Sequence, residues 1–258
     1  VNLLDTELKL LLECLYLKLN KKEFVNPDPL IFLYDFNDLK DREIAGLIAS
    51  SLAYGRVAQI LISVKKILDP MKGRPHNFIL SHEKKDFEKI YAGFKHRFTG
   101  SDDIVKLLTG IKRALTEYES LENLYRQGVE KFADFLNDSQ KSYLLPSPVD
   151  GSACKRLNLY FRWMVRNDEV DPGGWKKSSK QDLIIPLDTH MFKAAKLLGF
   201  TKRNSADLKT AIEITKHFAH ISPDDPVKYD FALTRLGIRD DMSFQELITL
   251  ITQYSCEI

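Results

Sequence analysis

Two ionisable side chains stand at the starts of helix-forming stretches, where chemistry and capping compete for the same residue types. Lys155 follows the small-residue turn of "VDGSACKRLNLYFRWMVR" (Val149–Arg166) and opens a strongly helical run. Asp188 opens another in "IIPLDTHMFKAAKLLGF" (Ile184–Phe200). A deprotonated lysine amine is a nucleophile. With an ordinary pKa of about 10.4, it needs a desolvated or cation-rich setting to act as one near neutrality. Arg156, Arg162 and Arg166 are cations close to it in sequence. A carboxylate such as Asp188 can act as a base or stabilise developing positive charge. The plain alternatives are equally concrete: aspartate is a preferred helix N-cap, and a lysine in a first turn is ordinarily solvated.

The rest of the chain must position these two groups, and its apolar spacing is helical almost throughout. Leu4, Leu8, Leu11, Leu15 and Leu19 recur three or four apart, which predicts an N-terminal helix. The prolines of "VNPDPL" break it off. Asn37 or Asp38 can cap a helix through Ile44, Leu47, Ile48 and Leu52 that stops near Gly55, and "VAQILISVKKIL" makes the next, up to Pro70. Ser101 or Asp102 starts another, through Leu115, and one helix is expected from Leu121 to about Leu136. "SQKSYLLPSPVDGS" reads as a loop, residues 154–166 as helix, and "NDEVDPGGWKKSSKQD" as an irregular connection. Helices follow near 190–198, 206–220 and 227–236. Pro226 suits a first helical turn, and Ser243 with Glu246 reads as the capping box of a last helix. No sustained period-2 pattern occurs, so the expected class is all-α.

Composition narrows the partners. The 258 residues are 44% apolar and 29% charged, which is ordinary for a soluble globular chain. Cys14, Cys154 and Cys256 are too few and too scattered for a disulfide framework or a cysteine-built metal site, and they fit a reducing cytosol. Lys9, Glu13 and Lys18 interrupt the greasy N-terminal run, so neither a membrane span nor a signal peptide is expected. The chain reads as cytoplasmic, without a membrane partner. His217 and His220 share a helix face but lack a third ligand, so no metal is expected. A net charge of +2 makes no case for a polyanionic partner. Residues 141–210, however, hold 13 Lys and Arg against 7 Asp and Glu. That asymmetry suits a phosphate-facing surface, and it suits a set of solvated helices just as well.

"IPLDTHMFKAAKLLGF" resembles the segment that carries the essential aspartate in the helix–hairpin–helix (HhH-GPD) DNA glycosylase superfamily, typified by endonuclease III. "DGSACKRLNLYFRWM" resembles that superfamily's hairpin and following helix: Gly151 matches its first glycine and Lys155 its nucleophilic lysine. "REIAGLIASSLAYGRVAQI" is similar to its early helix–loop–helix, and "DPVKYDFALTRLG" to its late helix, which ends in a glycine like Gly237. "RWMVR" with "PLDTH" also resembles an uncharacterised bacterial family of about this length. What lifts Lys155 and Asp188 above capping and solvation is their joint appearance, in the order this resemblance requires.

The resemblance implies two helical subdomains with a helix–hairpin–helix-like element and a cleft between them. One would span 27–166 and end in the Lys155 helix; the other would join 1–26 to 167–258 and carry Asp188. It implies base excision from damaged duplex DNA by a monomer, with Lys155 attacking the sugar, Asp188 stabilising charge, AP-lyase chemistry and no cofactor. Gly151, Ser152, Ala153, Arg156, Arg162, Arg166, Tyr54, Arg56 and His190 become candidate nucleic-acid contacts. His96, Phe98, Trp163 and Trp175 become candidates for walls of a pocket that receives an extruded base. Trp163 reads equally as core, and Tyr54 with Arg56 equally as a plain loop. The chain also departs from the pattern. Ala153 replaces the hairpin's second glycine, "DEVDPGGWKKSSK" lengthens the spacing between Lys155 and Asp188, Ala53 stands at the usual wedge-glutamine position, and the four cluster cysteines are absent. A catalytically inactive nucleic-acid-binding module of this fold, or a helical interaction protein, are the alternative readings.

Overall fold

The computed structural model describes residues 5–239 and 241–255, and among them the secondary structure is helical apart from one two-stranded hairpin. The chain divides into two compact units, Val25–Ser178 and a second formed from Val1–Phe24 with Ser179–Ile258. The second begins with α1 (Asp5–Leu19), whose Leu8, Leu11, Leu12, Leu15 and Leu19 are buried on one face. Leu4 of the expected stripe lies outside the described residues.

The contiguous unit follows. A 3₁₀ helix (Pro29–Asp35) leads to α2 (Leu39–Ser51), where the Lys40 N–H donates to the Asp38 carboxylate at 2.9 Å. Ile44, Leu47 and Ile48 of α2 are fully buried, which makes it the central helix of this unit. Then come α3 (Val57–Leu68), α4 (Pro75–Ser81) and α5 (Lys84–Ile90). The apolar spacing marked α3 but neither α4 nor α5. Those two are single-patch helices of seven residues, one started by Pro75 and the other by Asp86, whose carboxylate accepts from the Glu83 N–H.

A hairpin, β1 (Lys95–His96) with antiparallel β2 (Thr99–Gly100), is the exception to the all-α expectation. Its two-residue turn places Arg97 at φ 52. Next are α6 (Ser101–Tyr118), α7 (Leu121–Tyr125), α8 (Val129–Leu136) and α9 (Lys155–Val165). The single helix expected over 121–136 is thus two, parted by Gly128 at φ 107, a backbone state closed to an α-helix. Gly110 lets α6 approach α8 closely, since a Cβ there would overlap the Leu136 carbonyl.

The expected domain boundary after residue 166 falls after 178 instead. Residues 167–178 fold back onto α9: the Gly173 N–H donates to the Trp163 carbonyl and the Trp175 N–H to the Met164 carbonyl, both at 3.0 Å. Arg42 adds a guanidinium bond to the Gly173 carbonyl at 3.1 Å, and Tyr34 an O–H bond to that of Val170.

The second unit resumes with α10 (Thr189–Leu197), α11 (Leu208–Ile221), α12 (Asp230–Ile238) and α13 (Phe244–Ser255). Glu13 of α1 holds Lys228 with both oxygens, at 2.6 and 2.8 Å, and accepts from the Tyr229 hydroxyl. Pro226 is not in a first helical turn: α12 starts at Asp230, after a turn. The Ser243–Glu246 capping box is not closed either. The Ser243 hydroxyl accepts from the Gln245 N–H, and Glu246 pairs with Lys18 at 3.1 Å. Cys14 is exposed and Cys154 buried, both as free thiols, while Cys256 lies outside the described residues. Among the described residues no helix is long and apolar enough to cross a membrane.

Candidate functional site

Lys155 is the first residue of α9, and the turn before it sets its direction. Gly151, in the left-handed region at φ 75, closes a 3₁₀ turn over Pro148–Asp150. A Cβ on Gly151 would meet nothing, so glycine is there for its backbone freedom rather than for space. Ser152 accepts from the Cys154 N–H at 3.1 Å, and the Ala153 carbonyl accepts from the buried Asn158 amide at 2.9 Å. Cys154 itself sits at φ 46, its thiol donating to the Pro146 carbonyl, and burial pushes that thiol's pKa up. Ala153 and Cys154 are therefore packed inward, while Ser152 and Lys155 are part-exposed.

The Lys155 amine makes one hydrogen bond, to the Ala53 carbonyl just past the end of α2, at 3.3 Å. It has no carboxylate partner among the described residues. Beside it, the Arg156 guanidinium donates to the carbonyls of Ser51 and Tyr143 and lies between two rings, 4.9 Å from Tyr54 and 4.8 Å from Tyr143. Arg156 is thus a clamp joining three segments of one unit, not a free phosphate contact.

Tyr54 continues the cluster. Its hydroxyl donates to the His96 carbonyl at 2.9 Å and shares a 2.6 Å hydrogen bond with the Thr99 hydroxyl, so it pins the hairpin to the end of α2. His96 is buried, its ring nitrogens engaged by the Ser63 hydroxyl and the Tyr54 carbonyl, and burial lowers its pKa. It lines no base pocket; it is a structural histidine. Phe98, by contrast, is 71% exposed at the hairpin tip and meets Tyr143, itself 52% exposed, edge to face at 5.6 Å. Arg97 lies across Gly55, where a Cβ would come within 2.8 Å of its Cδ, and stands 5.5 Å from the Phe98 ring. Arg56 follows Gly55 and is exposed.

Four expected contacts are excluded by burial. Arg162 and Arg166 are each 3% exposed and pair with Asp171, which is 0% exposed; Arg166 also holds Asp168 at 2.7 Å. Burial raises the Asp171 pKa while the two guanidinium groups oppose it. The arginines anchor the 167–178 connection and do not face a phosphate. Trp163 is fully buried, and Trp175 is stacked on Tyr125 with its N–H given to Glu43 at 3.1 Å, so both indoles are core.

A family model matches residues 28–239 and carries the description Protein of unknown function (DUF2400). The chain belongs to that family. No curated protein and no solved structure matches it. The DUF2400 span takes in the Lys155 cluster, the hairpin and Asp188, and leaves α1 and α13 outside.

Asp188 and His190 belong to the unit built from both termini. Asp188 Oδ1 accepts from the His190 N–H at 2.9 Å and the Met191 N–H at 2.8 Å, the N-cap of α10. The His190 ring lies against Gly237, where a Cβ would overlap its Nδ1. In the contiguous unit, then, Lys155, Arg156, Tyr54 and Phe98 come together, with Arg56 exposed two residues beyond Tyr54. Arg97 and Tyr143 join them without having been singled out by their sequence. "HRF" marked only its histidine and phenylalanine, and the tyrosine of "KSYLLP" sits in a loop that carries no periodic signal. Among the described residues no group of three or more His, Cys, Asp or Glu is placed to hold a metal ion.

Proposed function

We propose that this chain excises bases from damaged DNA, with Lys155 as nucleophile and Asp188 as base and charge stabiliser. The setting of the Lys155 amine carries the reading. It is half-buried, tethered to a single carbonyl, without a carboxylate partner among the described residues, and flanked by the cationic and aromatic cluster of Arg156, Tyr54 and Tyr143. A lysine recruited only for solubility or ion pairing has no need of that setting. The resemblance of "DGSACKRLNLYFRWM" and "IPLDTH" to glycosylase segments supports the same two roles.

In the proposed reaction the C–N bond to the base breaks and positive charge grows on the sugar, where a carboxylate stabilises it. The lysine nitrogen bonds to the sugar carbon as the base leaves, and ring opening gives a Schiff base from which the strand can be cut. Reductive trapping tests the scheme: the protein is incubated with duplexes holding an abasic site or a damaged base, and borohydride is added. A covalent protein–DNA adduct that disappears in Lys155→Ala is expected. No adduct on any substrate, or an undiminished one in Lys155→Ala, overturns the role given to Lys155.

One observation favours a second reading, a binding module without turnover. The helix start fully accounts for both hydrogen bonds that Asp188 makes. That reading expects salt-sensitive binding, intact in Asp188→Asn, and no trapped adduct.

A further inference from the structure

We infer that Phe98 and Tyr143 form a stacking platform for an unpaired nucleobase, which makes the partner of this face a nucleic-acid strand with at least one base out of a duplex. The inference deepens the nucleic-acid reading and rests on it. Phe98 occupies the tip of a hairpin only two residues long on each side, and at 71% exposure it contributes little to any core. Tyr143 is 52% exposed on a separate loop, and the two rings meet edge to face at 5.6 Å. Both are fixed from beneath. Tyr143 is held by the Arg156 guanidinium at 4.8 Å, and the hairpin by the Tyr54 hydroxyl bonds to His96 and Thr99. Exposed aromatic rings that are rigidly buttressed lose little entropy when a base stacks on them.

Charge around the rings agrees with this partner. Arg56, Lys95 and Arg97 are exposed and have no carboxylate partner among the described residues, so they are available to phosphates. An open hollow of about 490 Å³ adjoins Phe98 and is lined also by Lys95, Lys106, Asp102 and Asp103. Its carboxylates repel a phosphate but can accept from the exocyclic amine of a base. Arg97 lines the same hollow, so cations for the backbone and carboxylates for a base amine lie together beside the Phe98 ring. Lys155 is close in the contact network: its amine holds Ala53, Ala53 precedes Tyr54, and the Tyr54 ring meets Tyr143 at 5.2 Å.

The test uses the whole chain and fluorescein-labelled 20-mers of mixed sequence, single-stranded DNA, single-stranded RNA and the matching DNA duplex, followed by anisotropy across a salt series. Single strands are expected to bind more tightly than the duplex, with log Kd changing with log salt at a slope of about 2 for three phosphate contacts. Phe98→Ala is expected to weaken single-strand binding about tenfold, the scale of one lost base–aromatic stack, and to leave duplex binding unchanged. Phe98→Trp should restore binding, and its exposed indole should be quenched when a strand is added. Equal affinity for single strand and duplex, or binding indifferent to Phe98→Ala with an unquenched Phe98→Trp, overturns the platform and leaves the nucleic-acid reading standing. No binding to any of the three at low salt overturns both. The DNA and RNA arms separate the two sources of the same chemistry.

Discussion

Glu43 offers a quantitative test of how the core of the contiguous unit is assembled. It sits on α2 at 1% exposure, accepting from the Leu121 N–H at 3.2 Å and the Trp175 indole at 3.1 Å. Its other oxygen and the Tyr160 hydroxyl are buried without hydrogen-bond partners among the described residues. Burial raises the carboxyl from 4.5 to about 7, against the lowering effect of its hydrogen bonds and with a further push from the Glu122 charge. The native state thus keeps a proton that the unfolded chain gives up near 4.5. Stability from this group is complete below about pH 4.5 and is lost as pH rises towards 7. At about 1.4 kcal/mol per pH unit, holding the proton over that range is worth about 3 kcal/mol. Glu43→Gln keeps an acceptor of the same shape and cannot titrate. Urea unfolding of both proteins at pH 4.5 and pH 8, followed by indole emission, reports on this unit because Trp163 and Trp175 both lie in it. The stability of wild type relative to Glu43→Gln is expected to fall by about 3 kcal/mol between the two pH values, other groups cancelling. Parallel pH profiles for the two proteins would refute the buried-proton argument.

Three further predictions follow from packing and capping. Asp188→Asn should leave stability within a few tenths of a kcal/mol, since asparagine caps as well as aspartate, while abolishing borohydride trapping; Asp188→Ala should cost about 1 kcal/mol in urea unfolding besides. Asp171→Asn should destabilise the contiguous unit by about 3 kcal/mol, measured by the same emission, because it removes the fully buried negative charge that faces both Arg162 and Arg166, leaving Asp168 to Arg166. Gly110→Ala should cost about 2 kcal/mol or more in a thermal melt, because its Cβ meets the backbone of α8, which cannot step aside as a side chain could.

Much of the helical frame was legible because it depends on local signals. The leucine spacing of α1, the Asp38 cap of α2 and the apolar face of α3 each specify their element within one stretch of chain. α4 and α5 were not legible, because seven residues are too few to establish a period, and the hairpin was not, because two-residue strands show no alternation. The site divided along the same line. Lys155 at a helix start and Asp188 at another are local facts. Whether an arginine faces a phosphate or a buried aspartate is not local: Asp171, which takes Arg162 and Arg166 inward, lies in an irregular connection whose fold no periodicity foretells. Tyr143 and Arg97 stayed hidden for a related reason, since exposure at a tip is a property of the assembled surface.

The interrupted make-up of the second unit has a consequence for how the protein is born. α1 leaves the ribosome before the insert does, yet Lys228 and Tyr229, which grip its Glu13, are made some two hundred residues later. In the interval the contiguous insert can complete its own core, as nascent domains generally do. The leucine face of α1 must meanwhile wait uncovered, so its first shelter during synthesis has to be transient and borrowed, and a stall before residue 179 would leave a greasy helix attached to a finished insert with no unit of its own.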